Sequence, residues 1–155
     1  MSTIFILNGP NLNLLGTREP EIYGHDTLAE IEEQVRAKAA TYGLTIVFRQ
    51  TNHEGVLVDW LHEANKKGAK AILLNAAAYT HTSIALLDAI KAIEVPVIEV
   101  HLSDPATREP FRHQSYVGMA AADEVKGLGP QSYLEAVDRA AAMPVKGRRD
   151  GPAAG

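Results

Sequence analysis

Short apolar runs alternate with amphipathic helical segments along almost the whole chain, and this alternation constrains the fold more than any other feature of the sequence. Residues 3–7, 44–49, 71–74 and 97–100 read as strands, the first apolar on both faces, as a strand buried between two layers must be. A fifth, short strand is expected within residues 122–126. Thr27 or Asp26 can cap a helix reaching about Tyr42, with Glu30 closing a capping box and Leu28, Ile31, Val35 and Ala39 as the apolar stripe. Asn52-His53-Glu54-Gly55 leads into a second helix that buries Leu57, Trp60, Leu61 and Ala64. A third starts at Thr82 or Ser83 with Ile84, Leu87, Ile90 and Ile93 inside, and a last one runs from Gln131 or Ser132 to about Met143 with the stripe Leu134, Val137 and Ala141.

Strands and helices at βαβ spacing predict a parallel sheet with right-handed crossovers and helices on both faces. The expected fold class is therefore α/β, a flavodoxin-like three-layer sandwich whose five-stranded parallel sheet has the order 2-1-3-4-5. One domain should occupy residues 1–143; residues 144–155 carry no apolar period and are expected to be a disordered tail. In such sheets ligands bind beyond the carboxyl ends of the strands, near the switch between the first and third. Asn11 and a polar, glycine-bounded segment at 16–24 follow the first strand, Asn75 and His81 the third, and His101, Ser103, Arg108 and Arg112 the fourth. Polar groups with no evident structural task thus gather on one rim.

The balance of charge narrows the function. A net charge of −4 argues against a surface that wraps nucleic acid or an anionic membrane, and no apolar run is long enough to cross a bilayer, so a cytoplasmic location is expected. With no cysteine, the chain has no disulfides, thiol nucleophile or thiolate metal site, and its histidines complete no metal-ligand spacing. Neither metal nor cofactor is expected, and the chemistry must use oxygen and nitrogen groups.

Glu99 and His101 lie two apart in a strand, so both side chains point to one face, where a carboxylate can orient and charge-stabilise an imidazole. A structural ion pair is the competing reading. Segment 16–24 reads as a mobile lid carrying Arg18 and Tyr23. A tyrosine ordinarily titrates near 10; bringing it to about 7 takes roughly 4 kcal/mol of differential stabilisation, which a neighbouring guanidinium in a water-poor pocket can supply. Asn75 and His81 fit a strand-to-helix loop as well as a site, and Arg108 and Arg112 fit a solvated loop as well as an anion pocket. Other doubly wound functions lack their marks. Asn75 stands where a phosphoacceptor aspartate would end the third strand, Gly9-Pro10-Asn11 fits neither a P-loop nor a dinucleotide fingerprint, and no lysine sits at a strand end for a Schiff base.

Leu7-Asn8-Gly9-Pro10-Asn11-Leu12-Asn13-Leu14-Leu15-Gly16, Arg18-Glu19-Pro20 with Ile22-Tyr23-Gly24, Asn52-His53-Glu54-Gly55, Tyr79-Thr80-His81-Thr82-Ser83, and Glu99-Val100-His101-Leu102-Ser103 with Arg108-Glu109-Pro110-Phe111-Arg112-His113 together resemble the type II 3-dehydroquinate dehydratases, over all of the chain but the tail. The resemblance implies anti elimination of water from 3-dehydroquinate to 3-dehydroshikimate through an enolate, without metal or Schiff base, in the shikimate pathway or in quinate catabolism. It assigns Tyr23 as the base, Arg18 as the group holding it as phenolate, and His101, oriented by Glu99, as the acid. Asn11 would hold the water that stabilises the enolate, Leu102 and Ser103 the substrate carboxylate, and Asn75, His81 and Arg112 the ring hydroxyls, with Arg108 closing over them. Asp88 would reach a neighbouring subunit's site in a dodecamer of four trimers. Two stretches depart from the family pattern: Ala76-Ala77-Ala78 replaces Pro-Gly-Ala, and Asp104 and Ala106 replace an asparagine and a histidine. An alanine forced to positive φ costs about 1 kcal/mol, and Asp104 adds a negative charge beside the carboxylate site. The same residue chemistry admits a proton-abstracting lyase or isomerase of a related polyol carboxylate, or a non-catalytic acid-binding module; retention of both Tyr23 and His101 speaks against the latter.

Overall fold

The computed structural model describes residues 2–17, 19–23 and 25–144, with the backbone alone for Pro20 and Tyr23. Five parallel strands form one sheet in the order β2-β1-β3-β4-β5: β1 Thr3–Asn8, β2 Thr45–Gln50, β3 Ala71–Asn75, β4 Val97–Val100 and β5 Asp123–Val125. Among the described residues the α-helices are α1 Pro20–Tyr23, α2 Leu28–Ala40, α3 Glu54–Lys66, α4 Ile84–Ala92 and α5 Gln131–Ala142. Class, strand number and order are those the βαβ spacing predicts. The tail beyond Pro144 lies outside the described residues.

Alternation along the strands builds two cores. Ile4, Ile6, Leu73, Ile98 and Val100 face α2 and α5, where Ile31, Val35, Tyr133 and Val137 are buried. Phe5, Leu7, Ile72, Leu74 and Val97 face α3 and α4, meeting Leu57, Leu61, Leu86 and Ile90. Side chains of a strand point alternately to opposite faces, so an unbroken apolar run is what a sheet covered on both sides requires. The capping box forms as read: Thr27 Oγ1 accepts from the Glu30 amide and Glu30 Oε1 accepts from the Thr27 amide, both at 3.2 Å. Ser83 caps α4, its Oγ accepting from the Leu86 amide at 2.9 Å.

Two helical stripes differ from the expectation. In α4 the buried residues are Leu86, Ala89 and Ile90, while Ile84 is 55% exposed and Leu87 half-buried. This helix is apolar around most of its circumference, so its residues alone do not select the inward face. In α5 Val137 is buried as expected, but its companions are Tyr133, Ala136 and Ala140 in place of Leu134 and Ala141. These are alanines and a tyrosine whose hydroxyl finds partners in the core. Leu14 is 49% exposed, and Trp60, expected to be buried, is half-buried with the Arg49 guanidinium 5.5 Å above its ring.

Candidate active site

The loops after β1, β3 and β4 meet over the carboxyl edge of the sheet and line a cleft that opens to solvent. Asn11 and Asn75 line it together with His81, His101, Leu102, Ser103, Arg108 and Arg112. Asn11, Asn75, His81, His101, Ser103, Arg108 and Arg112 are residues the sequence places on one rim, and the fold brings these together. Arg18 and the side chain of Tyr23 lie outside the described residues; the backbone of Tyr23 ends α1. Asp88 is exposed on α4 and does not line the cleft.

Glu99 stands behind the cleft wall, 1% exposed, and its Oε2 accepts from His101 Nε2 at 2.6 Å and from the Ser115 hydroxyl at 2.5 Å. Burial opposes ionisation of this carboxyl, but the hydrogen bond and charge of His101 and the donation from Ser115 outweigh it and hold the group below the ordinary carboxylate range. An ionised Glu99 fixes the His101 ring with Nε2 as the donor, leaving Nδ1 as the nitrogen free for a proton transfer. Ser115 is itself held by the Gly118 amide, which donates to its Oγ at 2.8 Å. A Cβ on Gly118 would stand 2.8 Å from Glu99 Oε1, so only glycine leaves the carboxylate its place.

The other wall rests on a polar lattice of loop contacts. The Asn11 amide donates to Asn52 Oδ1 at 3.0 Å, and Gln50 Nε2 donates to that same oxygen and to the Gly9 carbonyl, both at 3.1 Å. Gly9 runs so close to the third strand's exit that a Cβ would meet the Ala76 carbonyl oxygen at 2.5 Å. Asn75 Nδ2 donates to the hydroxyl of Tyr133, which donates to Asn8 Oδ1, at 2.9 and 2.6 Å. Tyr133 is fully buried, and burial pushes its phenol well above the usual range, so it serves as a neutral hydrogen-bonding post. His81 Nδ1 donates to the Gln114 carbonyl at 2.8 Å, while burial, only partly offset by that bond, lowers its pKa with help from the charges of His101 and Arg112. It presents a neutral ring to the cleft.

The loop after β4 is basic and tied down from behind. The carbonyls of Leu102 and Ser103 accept from the amides of Gly129 and Gly127, at 2.9 and 3.2 Å. In a trans peptide the N–H lies opposite the C=O, so the Ser103 amide points away from that loop. Arg108 Nη1 donates to the Ser103 hydroxyl at 3.4 Å, and Arg112 Nε donates to Glu109 Oε1 at 2.9 Å. Asp104 does not line the cleft; its Oδ1 accepts from the Ala106 amide at 3.0 Å and caps the turn Pro105–Thr107. Ala77 takes φ +53°, the left-handed conformation foreseen for the position where the resembling family carries glycine.

Ser115 and Tyr133 are the residues that sequence reading misses. Neither sits near its partner in the chain: Ser115 is 16 residues from Glu99, and Tyr133 is 125 from Asn8. A tyrosine in an otherwise alanine-rich stripe was the one available signal for the second.

Comparison with known proteins agrees with this geometry. Residues 2–141 match the family model described as dehydroquinase class II. The 3-dehydroquinate dehydratase of Caulobacter vibrioides is 58% identical over 137 residues, covering 88% of this chain and 93% of the relative. Among solved structures, the type II dehydroquinase of Propionibacterium acnes superposes with a TM-score of 0.87 at 38% identity, covering 91% of this chain and 97% of that one. That of Butyrivibrio crossotus gives 0.88 at 35% identity, with 90% and 97% covered.

Proposed function

The chain belongs to the class II dehydroquinase family and is a hydro-lyase, a 3-dehydroquinate dehydratase; from that premise we propose how its own residues carry the elimination. Tyr23, as phenolate beside Arg18, takes the proton from carbon 2 of 3-dehydroquinate. The electron pair moves onto the ketone oxygen as an enolate, stabilised by a water that Asn11 holds. Collapse of the enolate expels the hydroxyl from the opposite face of the ring, and His101 Nδ1 supplies the proton that makes it water. The product is 3-dehydroshikimate. Glu99 is a positioning group, keeping the ring's orientation and balancing its charge. The amides at Leu102 and Ser103 receive the substrate carboxylate under Arg108, and Asn75, His81 and Arg112 receive the ring hydroxyls. All these steps are proton transfers between substrate and protein side chains, so the reading includes no cofactor or metal.

The observation that carries the reading is the buried Glu99–His101 pair at 2.6 Å, set in the wall of a cleft that also holds two arginines. Buried ionisable pairs have to be compensated, and they gather where a protonation state is put to use. The test follows the near-ultraviolet absorbance of the conjugated product after adding purified protein to 3-dehydroquinate. The wild type should give a steady signal, and Tyr23→Phe and His101→Ala should each lower the rate by about 10² to 10⁴. Conversion by Tyr23→Phe at the wild-type rate would remove the lid tyrosine from the mechanism.

A dodecamer of four trimers, with Asp88 of each chain reaching a neighbour's cleft, belongs to the same proposal. Its support in this chain is the exposure of Asp88 on a helix whose outward face also shows Ile84. Whether the flux serves aromatic biosynthesis or quinate catabolism is decided by growth of a deletion strain, with and without aromatic supplements and on quinate. The cytoplasmic location expected from the sequence is tested by cell fractionation; no helix among the described residues is long and apolar enough to cross a membrane.

A further inference from the structure

Lys126 follows β5 directly, at a level fixed on both sides by hydrogen bonds to the active-site loop. The His101 amide donates to the Val125 carbonyl at 2.9 Å, and the Gly127 amide donates to the Ser103 carbonyl at 3.2 Å. The backbone of Lys126 therefore moves with the acid and with the anion loop. Its ammonium lies 3.2 Å from Glu124 Oε1 and 3.8 Å from Asp104 Oδ1. Asp104 is the residue after Ser103, and its role as cap of Pro105–Thr107 holds its carboxylate beside the loop. Ser103, Pro105 and Arg108 all line the cleft. An unbalanced carboxylate at 104 would oppose the arrival of a second one a few residues away, and it cannot swing clear without giving up the cap.

We propose that Lys126 is a positioning residue for substrate: its charge offsets that of Asp104, so that Ser103 and Arg108 present a positive field to the substrate carboxylate. This rests on the assignment of that end of the cleft to the carboxylate. The contacts sort the role. Lys126 and Asp104 are each more than a third exposed, so the pair adds little to folding stability, and its effect is on the field at the cleft mouth. The hydrogen bond to Glu124, opposed by slight burial and reinforced by the charges of Glu124, Asp104 and Glu99, raises the pKa of Lys126 and keeps it cationic throughout the neutral range. Glu124 anchors the ammonium; Asp104 is the charge it answers.

The test is a charge cycle read two ways: steady-state kinetics with 3-dehydroquinate, and calorimetric binding of quinate, a non-reacting hydroxylated carboxylate. Lys126→Gln should raise KM and weaken quinate binding about fivefold at low salt, leaving kcat within about twofold. Adding Asp104→Asn to that variant should return both constants to near the wild-type values, because the charge to be answered is gone and asparagine keeps the cap. The differences should shrink in high salt. Unchanged KM and quinate affinity in Lys126→Gln, or a defect that Asp104→Asn does not repair, would overturn the inference while wild-type turnover left the reaction intact. Quinate affinity that followed the charge cycle in a protein unable to dehydrate 3-dehydroquinate would uphold the inference and overturn the reaction.

Discussion

Glu99 Oε2 has two donors, and only one belongs to the acid it orients. Removing the Ser115 hydroxyl by Ser115→Ala takes away a bond to a charged acceptor of about 1.5 kcal/mol, which is roughly tenfold in kcat if the ring must find its place again for each turnover. The check is kcat against pH for both proteins: it should fall in the variant with KM little changed, and an unaltered profile would reduce Ser115 to a support for the Gly118 turn. Ala77 makes the opposite kind of prediction. At φ +53° it holds an L-residue in the left-handed region, so Ala77→Gly should raise stability by about 0.5–1 kcal/mol, seen as a higher urea midpoint with unchanged slope. The Glu99–His101 pair was legible in the sequence because it depends only on spacing along one strand, and the Ala77 strain only through the resemblance, whose pattern has glycine at that position. Ser115 was not, since its contact forms only when the loop after β4 folds back over the strand.

At the scale of elements, helix existence and order were legible and inward faces less so. Where polar residues break the surface, as in α2, the stripe could be read directly; where α4 is apolar almost all round, the burial of Leu86 rather than Ile84 is settled by the neighbouring helix α3 and the sheet. Reading Leu134 and Ala141 as the inward companions of Val137 hid Tyr133, which joins that helix to the ends of β1 and β3 through Asn8 and Asn75. Tyr133→Phe leaves both amides short of a buried partner and should cost about 1–3 kcal/mol of stability, with a rise in KM because Asn75 loses its anchor. A fall in stability without any change in KM would separate the post from the site. The clamp between β2 and α3 responds instead to pH. Arg49 Nη1 and Nη2 donate to both Glu63 carboxylate oxygens, at 2.8 and 2.9 Å, and these bonds, with Lys67, lower the Glu63 pKa to about 2 against an ordinary 4.5. A depressed acid binds fewer protons folded than unfolded below the ordinary value, so this contribution is whole above about 4.5 and is lost as pH falls toward 2. Glu63→Gln should therefore flatten the acid limb of the stability curve, by a small amount since both side chains are about a third exposed.

For the whole molecule, topology explains why residues from separate loops meet: in a 2-1-3-4-5 sheet β1 and β3 are neighbours and β4 lies next, so their carboxyl-end loops share one cleft. That convergence needed only strand order, which the βαβ spacing supplied. The assembly does not follow from strand order, because an exposed apolar helix face has no partner written in its own sequence. The outward side of α4 carries Ile84, 55% exposed, with Leu87 half-buried and Asp88 in the following turn, which is where a subunit contact would both bury apolar surface and carry a carboxylate to a neighbour. If so, Ile84→Arg should yield particles smaller than the wild-type assembly in sedimentation velocity while the isolated chain keeps its helical spectrum. Its activity should drop with its mass, since each cleft would lose the Asp88 offered by another chain. Asp88→Ala should lower activity at full mass, and the two variants together separate assembly from chemistry. Wild-type mass and activity in Ile84→Arg would place the subunit contact on another face and return Asp88 to the solvent.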